Sequence, residues 1–541
     1  MPEADALSER LTGPKSANRA LSWQRVRGGT ARSFAYRTSN LAAALESIEP
    51  LPIVAVFLLC LLVLARSIPL EQDADEILST IMSLQKLTVF FWVQDRFGNL
   101  LPLLTAWIRN PFDNLHVQIG LRLIAGLAAP LFFCSLVFRR AADAWRATLL
   151  SDCLLLIVGS AGVMHEIFVD ASPYAASFAC AGLAAMALRA PSRRFFGGMV
   201  LKLAAAGGLL VAYIVNYGLV VVALPLVVLF ALLFPSVHAT RLLVLHVVAA
   251  AVGSLLPEIV AHDFHTDLRL QPELQNFARF AVVIFQAIGW SFILAALLPP
   301  GALLLYLRLS RRVRALRLCR MIIAAMLGVA VFAFGVIASS RWLAMNEFHL
   351  RYFVPGYLLL ISVGGIALWL LARLALRDRT VRGAAFVGLA VLLLLGAHYR
   401  PHARGVPSPD IIGGDKGDMA RAVAARTIAR SLDGIAGGYW DVWPAVLVAE
   451  QYRYDIGRVG LDVMGITSRG EVRRSDFAAR LAAQGRLRLV CIDLLPAECA
   501  VHVSSEMAMP ELRFSEFAPM EAIPGDHRLW FVETTSSEIA K

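Results

Sequence analysis

Charge is scarce in this 541-residue chain: 17% of residues are Asp, Glu, Lys or Arg, against about 25% in an average soluble protein. So few charges cannot coat a water-soluble particle of this size. Lysine is scarcer still, at five in the whole chain, so nearly all of the 51 basic residues are arginine. The seven cysteines include no CxxC pair and no His-rich metal spacing, which leaves out a small disulfide scaffold and a zinc module. No phosphate-cradling glycine loop is present either, because Gly413-Gly414-Asp415-Lys416-Gly417 lacks P-loop spacing. A net charge of +11 would suggest nucleic acid in a soluble protein. Here the arginines punctuate apolar runs, as topology signals do, and no nucleic-acid partner is expected.

What is abundant is hydrophobic sequence, 58% of the chain. A membrane span needs about 20 mostly apolar residues. Runs of this kind lie near 51–68, 114–138, 147–164, 173–189, 197–215, 219–234, 241–257, 279–298 (extending to 307 if Pro299-Pro300 does not break it), 321–338, 353–376 and 383–398. The polar, basic stretch 1–50 is too long to be the start of a cleavable signal peptide, so the first span is expected to be retained as an anchor. Arginine clusters test the spans independently. Those at 19–37, 139–146, 189–194, 241, 308–320 and 373–382 all fall on one side if there are about eleven spans. The positive-inside rule makes that side cytoplasmic. The fold class expected is therefore an α-helical polytopic membrane protein over 51–398, preceded by a cytoplasmic tail at 1–50. The bacterial inner membrane is the expected location, with the C-terminus outside.

Composition changes after His398-Tyr399-Arg400-Pro401. The segment 399–541 reads as a soluble extracytoplasmic α/β domain, with helices near 416–432, 443–453 and 474–484 and strands at Leu487–Leu495 and Leu529–Glu533. Cys491 and Cys499 would be free to pair if this part faces an oxidising compartment.

The outer loop 69–113 carries the densest acidic feature. Pro69-Leu70-Glu71-Gln72-Asp73-Ala74-Asp75-Glu76-Ile77-Leu78 places four carboxylates at the mouth of the first span and leads into an amphipathic helix. Asp73 or Asp75 suits its N-cap. One reading is a set of solvated cap residues. The other is a general base held at the membrane surface, with like charges pushing at least one pKa upward. A second interfacial segment, Phe90-Phe91-Trp92 to Pro102, is expected at headgroup level.

An outer first loop with an acidic Asp-Glu pair just after span one, followed by interfacial helices and a long multi-span body, resembles the GT-C superfamily of membrane glycosyltransferases. The resemblance implies a sugar taken from a polyprenyl-phosphate donor and moved to a lipid, glycan or protein acceptor. It puts the catalytic carboxylate at Asp75, with Glu76 beside it and Asp73 as competitor. A polyprenyl-phosphate leaving group departs already charged, so an inverting displacement needs one base and one or two cations rather than a general acid.

Candidate helpers are Arg351 and Tyr352, placed to hold a lipid phosphate or simply to anchor a span, with His349 two residues away. Glu166 and Asp170 share a helix face as acids for the sugar or a metal, or as solvated rim acids, and Asp95-Arg96 forms an ion pair orienting the second interfacial segment. His262, Asp263, His265 and Asp267 have metal-ligand chemistry but no fixed spacing, so no cofactor is assigned and a divalent metal has no support. Gly437-Gly438-Tyr439-Trp440-Asp441-Val442-Trp443 is either a sugar-stacking cluster or part of a core strand. A transporter or flippase for a lipid-linked saccharide is the rival reading, but it predicts internal repeats and midplane polar sites. A structural assembly factor is the third.

Overall fold

The computed structural model describes residues 50–536 apart from 69, 93–97, 171–172, 190–194, 217, 261–273, 347–348, 377, 399–411 and 458–461. In chain order the helices up to residue 398 are α1 (Pro50–Ser67), α2 (Ala74–Leu84), α3 (Leu100–Thr105), α4 (Pro111–Ala128), α5 (Leu131–Val137), α6 (Ala141–Val158), α7 (Ala161–Phe168), α8 (Tyr174–Arg189), α9 (Phe195–Val215), α10 (Leu219–Leu233), α11 (Val237–Val260), α12 (Leu274–Leu309), α13 (Val313–Ala338), α14 (Arg341–Met345), α15 (Val354–Ala375) and α16 (Arg379–His398). Each of the eleven apolar runs is helical. Eight helical segments, among the described residues, are long and apolar enough to cross a bilayer: α1, α4 with α5, α9, α11, α12, α13, α15 with the 3-10 turn before it, and α16. The chain is a multi-pass membrane protein. Of the other three runs, α8 and α10 are apolar but short, and α6 carries Asp143, Arg146 and Asp152.

The run expected at 147–164 is two helices, because Gly159 and the capping Ser160 separate α6 from α7. The polar residues of α6 turn inward. Asp143 pairs with Arg373 at 3.1 Å and accepts from the Trp369 indole at 3.0 Å, both on α15. Close packing follows from glycine. A Cβ on Gly365 would lie 2.6 Å from the Ala147 carbonyl oxygen of α6, and one on Gly364 would lie 2.6 Å from that of Ala295 on α12. Helix α15 is thus gripped on both sides by backbone contacts open only to glycine. Pro299-Pro300 does not end α12. The helix continues to Leu309, and its one non-helical residue is Gly289.

The C-terminal α/β domain comprises α17 (Gly414–Ala429), β1 (Gly434–Ala436), α18 (Tyr439–Asp455), β2 (Met464–Ile466), α19 (Arg474–Gln484), β3 (Arg486–Ile492), α20 (Pro496–Met507), β4 (Leu512–Ile523) and β5 (His527–Ser536). The sheet order is β2-β1-β3-β5-β4, parallel across β2, β1 and β3 and antiparallel beyond. Alternation along β3 explains its two faces. Leu487, Leu489 and Cys491 join Phe477, Leu481 and Val503 of α19 and α20, while Val490 and Ile492 join a core shared with α18 and the membrane helices. Cys491 and Cys499 are disulfide-bonded.

The two parts meet along α2 and α18. Trp92 and Trp443 pack edge to face at 5.9 Å, both almost wholly buried. Gln85 donates to Glu450 at 3.0 Å and to the Val463 carbonyl at 2.9 Å, and accepts from Arg473 at 2.6 Å. Trp92 is thus enclosed in this seam, its indole N–H donating to the Lys86 carbonyl at 3.0 Å. Trp107 and Trp290, 77% and 67% exposed, are left free to meet an interface.

Candidate active site

Helix α2 begins with a capping box. Asp73 is the N-cap, its Oδ1 accepting from the Asp75 N–H at 2.7 Å and the Glu76 N–H at 3.4 Å, while the Asp73 N–H donates back to Glu76 Oε2 at 2.6 Å. Aspartate at the N-cap and glutamate three residues on is the sequence signature of this motif. It spends two of the four carboxylates on backbone and leaves Asp75 free to turn outward from the cap.

Asp75 is buried and held by three groups. Arg351 donates to Oδ2 at 3.0 Å, Arg469 donates to Oδ1 at 2.8 Å, and the Tyr439 hydroxyl donates to Oδ1. Arg469 also donates to the Tyr439 hydroxyl at 2.9 Å, and its guanidinium lies over the Phe91 and Tyr439 rings at 5.3 and 5.1 Å. Burial pushes the Asp75 pKa up, but Arg469, Tyr439 and Arg351 together outweigh it and leave the carboxyl below its ordinary value. The raised pKa expected of this cluster belongs instead to Glu76, which is fully buried and lies beside the charge of Asp73 and Asp170. Behind Glu76, the buried Arg122 donates to the Gln72 amide oxygen at 2.6 Å, Ser79 Oγ at 2.8 Å and the Val169 carbonyl at 3.1 Å. These bonds lock α2 to α4 and to the end of α7.

A second acid pair faces the same place. Glu166 on α7 has its pKa pushed up to about 10 by burial and by Asp170, with which it shares a hydrogen bond. The i, i+4 spacing seen in the sequence does bring the two together. His165 lies 3.5 Å from Glu76, and His349 lies 3.6 Å from Glu166. Burial and Arg351 lower the His349 pKa, so the imidazole is neutral at pH 7. Beside the Asp73 cap opens a cavity of about 250 Å³ lined by Glu71, Gln72, Asp73, His165, Lys416 and Trp440. Asp75 does not line it, being covered by its own cations.

Of the residues singled out in the sequence, Asp73, Asp75, Glu76, Glu166, Asp170, His349 and Arg351 converge here. Tyr352 sits directly beside Arg351. Its ring is buried in the core and carries the Arg351 guanidinium over its face at 5.4 Å. Arg96, with Asp95, lies outside the described residues, as do His262, Asp263, His265 and Asp267. Among the described residues no group of three or more His, Cys, Asp or Glu is placed to hold a metal ion. The segment 439–443 begins helix α18 rather than a strand. Gly437 and Gly438 end β1 and let the helix start with Tyr439 against Asp75.

Tyr439 figures in the sequence only as a member of the 437–443 aromatic cluster, and Arg469 and Arg122 were not singled out. Arg469 carries one structural signal, a left-handed φ of 71° in a residue other than glycine, a conformation that costs on the order of 1–3 kcal/mol and clusters at functional sites. In the sequence it is one arginine among many.

No protein-family model and no curated protein sequence matches the chain. Among solved structures it is similar to ArnT from Cupriavidus metallidurans in the apo state, at TM-score 0.45 and 14% identity over 91% of this chain and 98% of that one. It is also similar to the arabinofuranosyltransferase AftD from Mycobacteria, at TM-score 0.41 and 15% identity over 90% of this chain and 40% of that one.

Proposed function

We propose that the chain is a membrane glycosyltransferase of GT-C type, moving a sugar from a polyprenyl-phosphate donor to a lipid, glycan or protein acceptor at the outer face of the bacterial inner membrane. One observation carries the reading: a single carboxylate, Asp75, is flanked by Arg351 and Arg469 where the helical bundle meets the α/β domain. The reaction needs these groups and little more. The acceptor hydroxyl gives its proton to Asp75 as its oxygen bonds to the anomeric carbon. The bond from that carbon to the phosphate oxygen breaks, and its electron pair stays with the phosphate. A phosphodiester monoanion becomes a phosphomonoester of higher charge, and guanidiniums stabilise that change.

The resting pairing fits this sequence of events. With both arginines on Asp75, the carboxylate is a weak base. When a donor phosphate draws Arg351 and Arg469 to itself, burial is left as the dominant influence on Asp75 and its pKa rises, which suits proton acceptance. Attack opposite the leaving phosphate inverts the anomeric centre. The arginine-rich ends at the other side of the bundle support an outer location for Asp75, as does the Cys491–Cys499 disulfide for the domain beside it.

The test is transfer of radiolabelled sugar from a synthetic polyprenyl-phosphate sugar by the purified protein in lipid nanodiscs. Label appearing in an acceptor, with loss in Asp75→Asn, supports the proposal. Passage of the donor across the bilayer without bond cleavage would replace it by the flippase reading.

A further inference from the structure

At the far end of the bundle, a cavity of about 490 Å³ is lined by Arg139, Arg140, Arg146, Arg189, Arg373, Arg379 and Arg382, with Asp143 the one carboxylate among them. Its size falls in the range of small-molecule sites. The distance from Asp75 follows from α15. Arg351 precedes its first turn and Arg373 lies in its last, and the 22 residues of the helix rise about 33 Å. The two sites lie at opposite ends of the bundle.

Arginines at span ends are ordinarily separate topology signals in water. Here they arrive from four helix ends on one hollow, and the hollow has a built floor. Asp143 holds Arg373 at 3.1 Å and lies 3.9 Å from Arg146, whose guanidinium stacks over Trp369 at 5.2 Å. Arg146 is nine-tenths buried, and its Nε has no hydrogen-bond partner. Arg189 donates to the Ser135 and Phe138 carbonyls at the end of α5 and so is fixed in the wall. The lining also includes Ala141 and Ala142, the first residues of α6. Its N-cap, Arg140, offers no side-chain acceptor, so the amide end of the helix dipole adds to the positive field. Among the described lining residues Asp143 is the one carboxylate, so the hollow carries an excess of positive charge that suits an anion.

We propose that this cavity binds the phosphate of an anionic phospholipid headgroup. A lipid source is favoured because the lining comes from the ends of membrane helices, and basic pockets between such ends recruit anionic headgroups from the cytoplasmic leaflet. Arginine, with its planar fork of donors, suits a phosphate bidentately.

The full-length protein in detergent is titrated with short-chain phosphatidylglycerol, with short-chain phosphatidylcholine and with inorganic phosphate, reading binding by native mass spectrometry. Phosphatidylglycerol is expected to bind at least tenfold tighter than phosphatidylcholine. That preference is expected to vanish in the double variant Arg140→Gln, Arg379→Gln, which changes two exposed residues and leaves the Asp143 pairs intact. Arg379→Lys, which keeps the charge, is expected to retain most of it, and a thermal melt identifies any variant that has lost its fold. Competition by inorganic phosphate at equal affinity would overturn the lipid source in favour of a soluble phosphate. Equal binding of the two lipids, or an unchanged preference in the folded double variant, would overturn the site itself.

Discussion

Arg469 donates to Asp75 at 2.8 Å across 394 positions of sequence, so the polar centre at the head of α2 is completed by the C-terminal domain. Arg351 reaches the other oxygen from the start of α15. Three parts of the chain must be docked before Asp75 has its partners, and any change that loosens the seam is felt at the carboxylate.

The first prediction separates Asp75 from its neighbour two residues earlier. Asp73→Asn keeps an N-cap acceptor, and asparagine caps as well as aspartate, so activity is expected to stay within about threefold and stability to change by less than 1 kcal/mol. Asp75→Asn removes the proton acceptor and is expected to lower transfer by 10²-fold or more, with the melting temperature little changed. If Asp73→Asn is the dead variant instead, the cavity-lining carboxylate is the base. Sugar-transfer rates of both purified variants decide.

Arg469→Gln tests the pairing by pH. Burial alone pushes the Asp75 pKa up, and Arg469 is the strongest of the groups that pull it down. Without Arg469 the carboxyl titrates at higher pH, so the acid limb of kcat/KM is expected to shift upward. The rate falls as well, by about 10²-fold if the same guanidinium stabilises the leaving phosphate. The stability sign is also fixed. A depressed carboxyl pKa stabilises the fold above its unfolded value, near 3.9, and that contribution is lost as pH falls through the folded pKa. Wild type and variant should therefore differ in melting temperature at pH 7 and converge towards pH 3. An unchanged acid limb would detach Arg469 from Asp75.

The apolar runs were legible because hydropathy is local, and so was a helix start at 73–75, although the choice of Asp73 over Asp75 as N-cap came from the reciprocal bond with Glu76. Asp75, Glu166 and Asp170 could be found as acids near a span mouth. What the sequence hid was partnership. Tyr439 lies 364 residues beyond Asp75, inside an aromatic cluster that serves a core as well as a site. Arg469 sits among many arginines with no motif around it. The charged residues of α6 weaken its hydropathy, and only the tertiary partners Arg373 and Trp369 explain why it is buried. The burial of Trp92 was hidden for the same reason, since its partner Trp443 lies in the C-terminal domain.

Gly365→Val tests how α15 is positioned. The added side chain meets the Ala147 carbonyl oxygen, 2.6 Å from the first new carbon, and α6 must move. Overpacking of this kind costs about 1–3 kcal/mol. Because α15 carries Arg351 at one end and Arg373 at the other, the variant is expected to melt at lower temperature and to lose activity in proportion. Full activity at an unchanged melting temperature would show that the helix tolerates displacement.

Glu166→Gln tests the buried acid pair. The Glu166 pKa is pushed up to about 10 by burial and by Asp170, against about 4.3 in an unfolded chain. A raised folded pKa means that the folded state holds the proton longer. Its contribution to stability is fully present below about pH 4.3 and is lost progressively as pH rises towards 10. Glutamine keeps the shape and a hydrogen-bond donor for Asp170 without a proton to lose. The variant is therefore expected to match the wild type near pH 4.5 and to gain on it steadily from pH 6 to pH 9, measured as melting temperature in detergent at fixed ionic strength. Parallel pH profiles for the two proteins would mean that Glu166 is ionised at neutral pH, and that its contact with His349, 3.6 Å away, is an ion pair rather than a meeting of two neutral groups.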